Sequence, residues 1–246
     1  MMFRIALAGI LFSHCLAAQE LQDDFTVRAM LEPVKEATVS SELSARIAVI
    51  HVRNGDAFSK GDKLLGFDCS IYQAGQDEAA ADLGIARAQF ENKRKLQQLD
   101  SAGELEVHIA QLEMQRMQAK LDSAKLLVER CQIVAPFDGR VVDVLVNEHE
   151  SIELGTKLLW LLEDTKLDVN LVLPSRWLVW LDEGSEFTLQ VDETGKKYSG
   201  HVVRLGARVD AVSQSIRVTG ELTGIHKELM AGMSGTVSFN RESQSE

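Results

Sequence analysis

From Arg46 to Phe67 apolar and polar positions alternate, break at a glycine and end in a short apolar run, and the same order of features returns from Arg140 to Leu161. The two stretches read RIAVIHVRNGDAFSKGDKLLGF and RVVDVLVNEHESIELGTKLLWL. At a constant offset of 94 residues, Arg46 matches Arg140, Val52 matches Val146, Gly61 matches Gly155, and Lys63-Leu64-Leu65 matches Lys157-Leu158-Leu159. Ile47, Ile50 and Phe58 fall opposite Val141, Val144 and Ile152. A period of two marks strands with one buried face. Self-similarity at a fixed offset predicts two like β-units packed as a pseudo-symmetric pair. His149 stands where the first copy has Gly55, and reads as an exposed turn residue rather than a ligand.

Between the copies the period changes. From Ile71 to Leu99 there is no proline, and strong helix formers dominate. Ala79, Leu83, Ala86 and Phe90 recur at steps of three and four. The turn Asp100-Ser-Ala-Gly-Glu104 precedes a second helix, expected from Leu105 to Glu129. Its apolar stripe is read as Leu105, Ile109, Leu112, Ala119 and Leu126, buried on the first helix. Two helices of like length joined by a short turn form an antiparallel hairpin, projecting on the order of 40 Å. After the second copy, strand-like runs at 167–173, 186–191, 198–205, 214–222 and 234–239 are spaced by polar turns, as in a small antiparallel barrel. Trp177 and Trp180, in a short helical turn after Pro174, read as a plug for that barrel.

Composition narrows the function. The chain has 246 residues, 45% hydrophobic and 26% charged, which is globular rather than disordered or polytopic. The net charge of −11 gives no broad attraction to phosphate, which excludes nucleic acid as a partner class. Arg4, an apolar run from Ile5 to Phe12 and small Ala17-Ala18 read as a secretory signal over residues 1–18, too short to span a bilayer. Cleavage removes Arg4 and leaves −12. It also removes Cys15, which follows His14 rather than the small residue that lipid attachment favours, so the mature chain is read as unanchored. Cys69 and Cys131 remain, an even pair in an oxidising compartment. No metal-ligand spacing surrounds either one, and the histidines are scattered. With no nucleophile elbow, P-loop or dinucleotide fingerprint, the chain reads as neither an enzyme nor a cofactor or metal carrier.

The order β-unit, helical hairpin, β-unit, barrel resembles the HlyD-like membrane fusion proteins, the periplasmic adaptor subunits of efflux systems. IVAPFDGRVV at 133–142 is similar to the segment with which that family re-enters its lipoyl-like domain. VRNGDAFSKGDKLLGFD at 52–68 resembles the matching first half, and LMAGMSGTVSF at 229–239 the last barrel strand, with Gly232 and Met233 at its turn. The resemblance covers about residues 30–240. It implies a mainly β fold with an antiparallel α-helical hairpin, a lipoyl-like (barrel-sandwich hybrid) domain split by that hairpin, and a small β-barrel. The expected boundaries are 25–70 and 130–164 for the hybrid domain, 71–129 for the hairpin, 165–240 for the barrel and 241–246 for a tail. The lysine-bearing turn of biotin and lipoate carriers is replaced by the hairpin, so no covalent cofactor is expected.

The same resemblance implies partners: an inner-membrane transporter of the resistance-nodulation-division (RND) type, an outer-membrane channel, and further copies in a ring. Many such adaptors carry Arg, Leu and Ser at the hairpin tip. The matching positions hold Lys95, Leu99 and Glu106, flanking Asp100 and Ser101, and these are the candidate channel contacts. Lysine lacks the planar fork of arginine. With little chain after the barrel, the family's membrane-proximal domain is expected to be reduced or missing. The hairpin layout brings Cys69 and Cys131 together as a disulfide, with two buried free thiols as the alternative. A free-standing periplasmic binding or scaffold protein on this fold, and a type I secretion adaptor, are the other functional readings.

Overall fold

The computed structural model describes residues 25–240; the signal expected over 1–18, with Cys15, and the tail 241–246 lie outside them. The strands are β1 (Thr26–Pro33), β2 (Glu36–Ser40), β3 (Ala45–Ile50), β4 (Ala57–Phe58) and β5 (Lys63–Phe67). Helices α1 (Ser70–Gln98) and α2 (Glu104–Glu129) follow. Then come β6 (Gln132–Val134), β7 (Gly139–Val144), β8 (Ser151–Ile152), β9 (Lys157–Leu162) and β10 (Leu167–Pro174). A 3-10 turn (Ser175–Val179), β11 (Glu186–Val191), β12 (Lys197–Asp210), β13 (Ser215–Leu222) and β14 (Ser234–Phe239) complete the chain.

Two four-stranded sheets, β2-β9-β7-β4 and β6-β5-β3-β8, make the first β-body. The offset seen in the sequence maps one sheet onto the other: β3 onto β7, β4 onto β8, β5 onto β9, and β6 onto β2. Hydrogen bonds obey the same operation. Gly55 N donates to Val141 O at 2.8 Å, and His149 N to Ile47 O at 2.9 Å. Gly61 N donates to Ala135 O at 2.9 Å, and Gly155 N to Ser41 O at 2.8 Å. Each copy therefore closes its turns on backbone carbonyls of the other. Leu64, Leu65, Leu158 and Leu159 are fully buried between the sheets, each worth about 1.5–3 kcal/mol of apolar burial. His149 has φ +69° where Gly55 has +87°, so the second copy holds a side chain in a conformation that favours glycine.

The second body is a closed six-stranded barrel in the order β1-β10-β13-β12-β11-β14. The strand at 25–34 was expected in the first half of the hybrid domain, and this is corrected: β1 pairs with β10 through Ala29↔Leu171 and with β14 through Val27↔Val237. Alternation locates a strand but not its sheet, and here the five later strands need a sixth to close. Ala29 and Leu31 fill the barrel core beside Leu171 and Val237. Trp177 is buried, with its ring centroid 5.5 Å from Phe25 and 5.9 Å from Phe239, so it plugs one end as its spacing suggested. β12 is longer than the run at 198–205, because bulges between Val202 and Arg204 and between Leu205 and Val209 interrupt its alternation.

The helices and the barrel leave the β-body at equivalent places. α1 and α2 are inserted between β5 and β6; the barrel strands are attached at β9 and β2, the offset mates of that pair.

Candidate functional site

The helical pair owes its shape to two apolar registers on each helix. In α1 the inner register is Ala79, Leu83 and Ala86, all buried, continuing to half-buried Phe90. In α2 it is Val107, Ala110, Met114, Met117, Leu121, Ala124 and Val128, at alternating steps of three and four. Leu83 and Leu121 pack with Met114 and Met117. Lys120 Nζ lies 2.8 Å from Asp82 Oδ2, and Lys93 Nζ lies 2.6 Å from Glu106 Oε2. Asp82 beside it raises the Lys120 ammonium above its ordinary value. Paired positions sum to about 200 in each case, the register of two helices running in opposite directions.

The stripe expected to bury α2 faces the other way, and this is a correction. Leu105, Ile109, Leu112 and Leu126 are 69%, 57%, 51% and 54% exposed, and Ala119 is exposed too. Both faces of α2 carry apolar residues at heptad-like spacing, so the period alone does not say which one meets α1. α1 has an outer register as well, with Ala74, Ala81, Ile85 and Ala88 all exposed. At about 100° per residue, each outer stripe lies nearly opposite its inner seam. The pair therefore shows one apolar face on each side.

At the tip, the backbone closes α1 tightly. Asp100 N donates to Gln97 O at 3.0 Å and Ser101 N to Leu96 O at 2.8 Å, with Asp100 at φ +52°. Gly103 caps α2, and Glu104 and Glu106 sit in its first turn, where negative charge meets the positive end of the helix dipole. Lys95 lies in the last turn of α1, with the complementary sign. Lys95, Leu99, Asp100, Ser101 and Glu106 are thus brought into one exposed tip, and Leu99 is 72% exposed. Lys93, which the sequence reading passed over, engages Glu106. The signal for it was the antiparallel register, which sets position 93 against 106.

At the base, Cys69 and Cys131 are joined by a disulfide with their Cα atoms 6.0 Å apart. Around it, Tyr72 Oη donates to Ser44 O at 3.0 Å and Arg130 Nε lies 3.1 Å from Glu42 Oε2. Asp68 Oδ1 accepts from the Ser70 hydroxyl at 2.9 Å, and Asp68 Oδ2 from Arg46 at 2.8 Å. These partners, the Ser70 hydroxyl first, hold the Asp68 carboxyl below the usual carboxylate range. In the barrel, Gly232 turns at φ +89° and its N–H donates to Leu31 O at 2.7 Å, while Leu31 N donates to Met233 O at 2.9 Å. This clips the turn before β14 onto β1. Among the described residues no group of three or more His, Cys, Asp or Glu is placed to hold a metal ion. No described helix is long and apolar enough to cross a membrane.

Residues 35–162 match the barrel-sandwich hybrid domain of the RND membrane fusion proteins, a span of just over half the chain. The chain belongs to this family. Nodulation protein NolF of Rhizobium meliloti is 24% identical over 216 residues, which cover 81% of this chain and 59% of NolF. The chain therefore spans less than two thirds of that relative's length. Among solved structures, a MacA–MexA chimera containing the Pseudomonas aeruginosa MexA α-hairpin domain superposes with a TM-score of 0.77 at 17% identity. The match covers 88% of this chain and 78% of the chimera. The membrane fusion protein Spr0693 of Streptococcus pneumoniae R6 gives 0.74 at 18% identity, covering 87% of this chain and 98% of that one. At these identities the likeness is one of fold, while the hybrid-domain match supplies the family. This RND membrane fusion protein is thus built as a split hybrid domain with a helical arm and a barrel arm.

Proposed function

We propose that this chain is the periplasmic adaptor of an RND-type efflux system, linking an inner-membrane transporter to an outer-membrane channel. The observation that carries the reading is the pair of arms on equivalent exits of one β-body, one of them a helical pair on the order of 40 Å long with an exposed tip. The working units are a hybrid domain of 35–70 and 130–164, a helical pair of 71–129, and a barrel of 165–240 joined by β1. The barrel faces the transporter. The tip, through Lys95, Leu99, Asp100, Ser101 and Glu106, meets the channel. The opposed stripes Ala81-Ile85-Ala88 and Leu105-Ile109-Leu112 suit side-by-side copies in a ring, since each copy offers a different face to each neighbour. Such an adaptor does no chemistry, and what is exported is set by its transporter.

A second reading, a periplasmic scaffold that holds another partner with the helical pair, draws on the tip itself, where Lys93 already occupies the Glu106 carboxylate. Affinity purification of the tagged full chain from crosslinked, detergent-solubilised membranes separates the two. The adaptor reading predicts recovery of an RND transporter that is lost when the barrel surface is altered. A chain recovered in quantity without any transporter overturns that reading in favour of the scaffold.

A further inference from the structure

Among the cavities and surfaces outside the tip, the two exits from the hybrid domain differ most. At the helical exit, two residues separate β5 from α1 and two separate α2 from β6. Each of those four residues carries a tie: Cys69 and Cys131 the disulfide, Asp68 the hydrogen bonds from Arg46 and Ser70, and Arg130 the ion pair with Glu42. Tyr72 adds a hydrogen bond to the Ser44 carbonyl. Both helices are thereby tied to the same loop, 41–44, in which Ser41 and Leu43 are buried.

At the barrel exit, Val34-Lys35 and residues 163–166 are, among the described residues, the only crossings between barrel and hybrid domain, and no described strand pairs across them. Two backbone hydrogen bonds join the crossings, Glu163 N to Lys35 O at 2.8 Å and Val34 N to Lys166 O at 3.5 Å. One ion pair ties a crossing to the hybrid domain, Arg140 Nε of β7 to Asp164 Oδ2 at 3.0 Å. Lys35 Nζ lies 2.9 Å from Glu163 Oε2, yet that buried oxygen receives no directed hydrogen bond. A cavity of about 260 Å³, lined by Val34, Asp164, Lys166, Asp168, Glu221 and His226, lies beside the crossings on the barrel side. Contacts between bodies joined only by short crossings permit relative motion unless a large apolar interface prevents it.

We propose that the molecule is jointed at one exit only: the barrel swings on residues 34–35 and 163–166 with Lys35–Glu163 as its latch, while the helical pair is fixed to the hybrid domain by Cys69–Cys131 and its braces. The inference does not depend on which partners the arms take. It is tested on the purified full chain with spin labels on genetically encoded keto side chains, which leave the disulfide intact. Label pairs Leu154–Val172 and Leu154–Ile85 report the barrel and the helices against the hybrid domain. In the unaltered chain the first distance distribution is expected to be about twice as wide as the second. Lys35→Ala widens the first alone, and Cys69→Ser with Cys131→Ser widens the second alone. Equal widths in the unaltered chain, or a barrel distribution untouched by Lys35→Ala, would overturn the proposal. If the cysteine variant does not fold, as circular dichroism would reveal, those two comparisons still decide it.

Discussion

At the exit between β5 and β6 the chain passes into a helical pair under a covalent bond, the Asp68 cluster with Arg46 and Ser70, and two further side-chain ties. At the exit between β9 and β2, its offset mate, the chain passes into a barrel under two backbone hydrogen bonds and the Lys35–Glu163 and Arg140–Asp164 ion pairs. Position 69 carries a cysteine in the first copy, and its offset mate, position 163, carries a glutamate in the second. The same β-frame has thus been fastened in two ways. The difference teaches that the repeat dictates where the arms leave, while a few residues at each exit dictate how firmly they are held.

The comparison can be broken first at its symmetric core. Leu64→Ala and Leu158→Ala remove offset-related side chains that are both fully buried, and each should cost about 2–5 kcal/mol in denaturant unfolding. A large difference between the two would show that the copies are not energetically alike. Next in size, Cys69→Ser with Cys131→Ser opens a loop with a sequence separation of 62 and should cost about 2–4 kcal/mol. His149→Gly relieves a left-handed conformation and should add about 1 kcal/mol, whereas Gly55→His should lose a similar amount. Lys35→Ala should cost about 1 kcal/mol, because the lysine is exposed while the Glu163 carboxylate it faces is mostly buried, and it is expected to free the barrel.

The smallest effect concerns pH. The Asp68 carboxyl titrates below its ordinary value of 3.8 in the folded chain, so its contribution is present above that value and is lost as pH falls through the depressed one. The stability difference between the unaltered chain and Asp68→Asn should therefore shrink as pH is lowered below 3.8, which acid titration of both unfolding curves would show.

What could be seen in the sequence follows the same division. The repeat was legible because Gly61 and Gly155 fix turns at matching places and Leu64-Leu65 and Leu158-Leu159 fix the buried runs. The helices were legible from composition and period, and the disulfide from the layout they imply. The inward face of α2 was not, because Ile109 and Leu112 are as apolar as Met114 and Met117, and only packing against Leu83 selects between them. The place of β1 was hidden for a similar reason: the alternation of Ala29 and Leu31 suits either β-body, and closure of the barrel decides it. In the tip, Lys95, Leu99 and Glu106 were found by position, but the Lys93–Glu106 pair depends on helix register that no single-helix pattern contains.

The most direct measurement is site-specific photo-crosslinking of the full chain in cells, with the reactive side chain at Leu99 or Ser101 on the tip, or at Val172 on the barrel. For the adaptor proposed above, the tip positions are expected to capture an outer-membrane channel and the barrel position an RND transporter, with no exchange between them. Capture of the same partner from both arms, or capture of neither protein by a well-expressed chain, would contradict it.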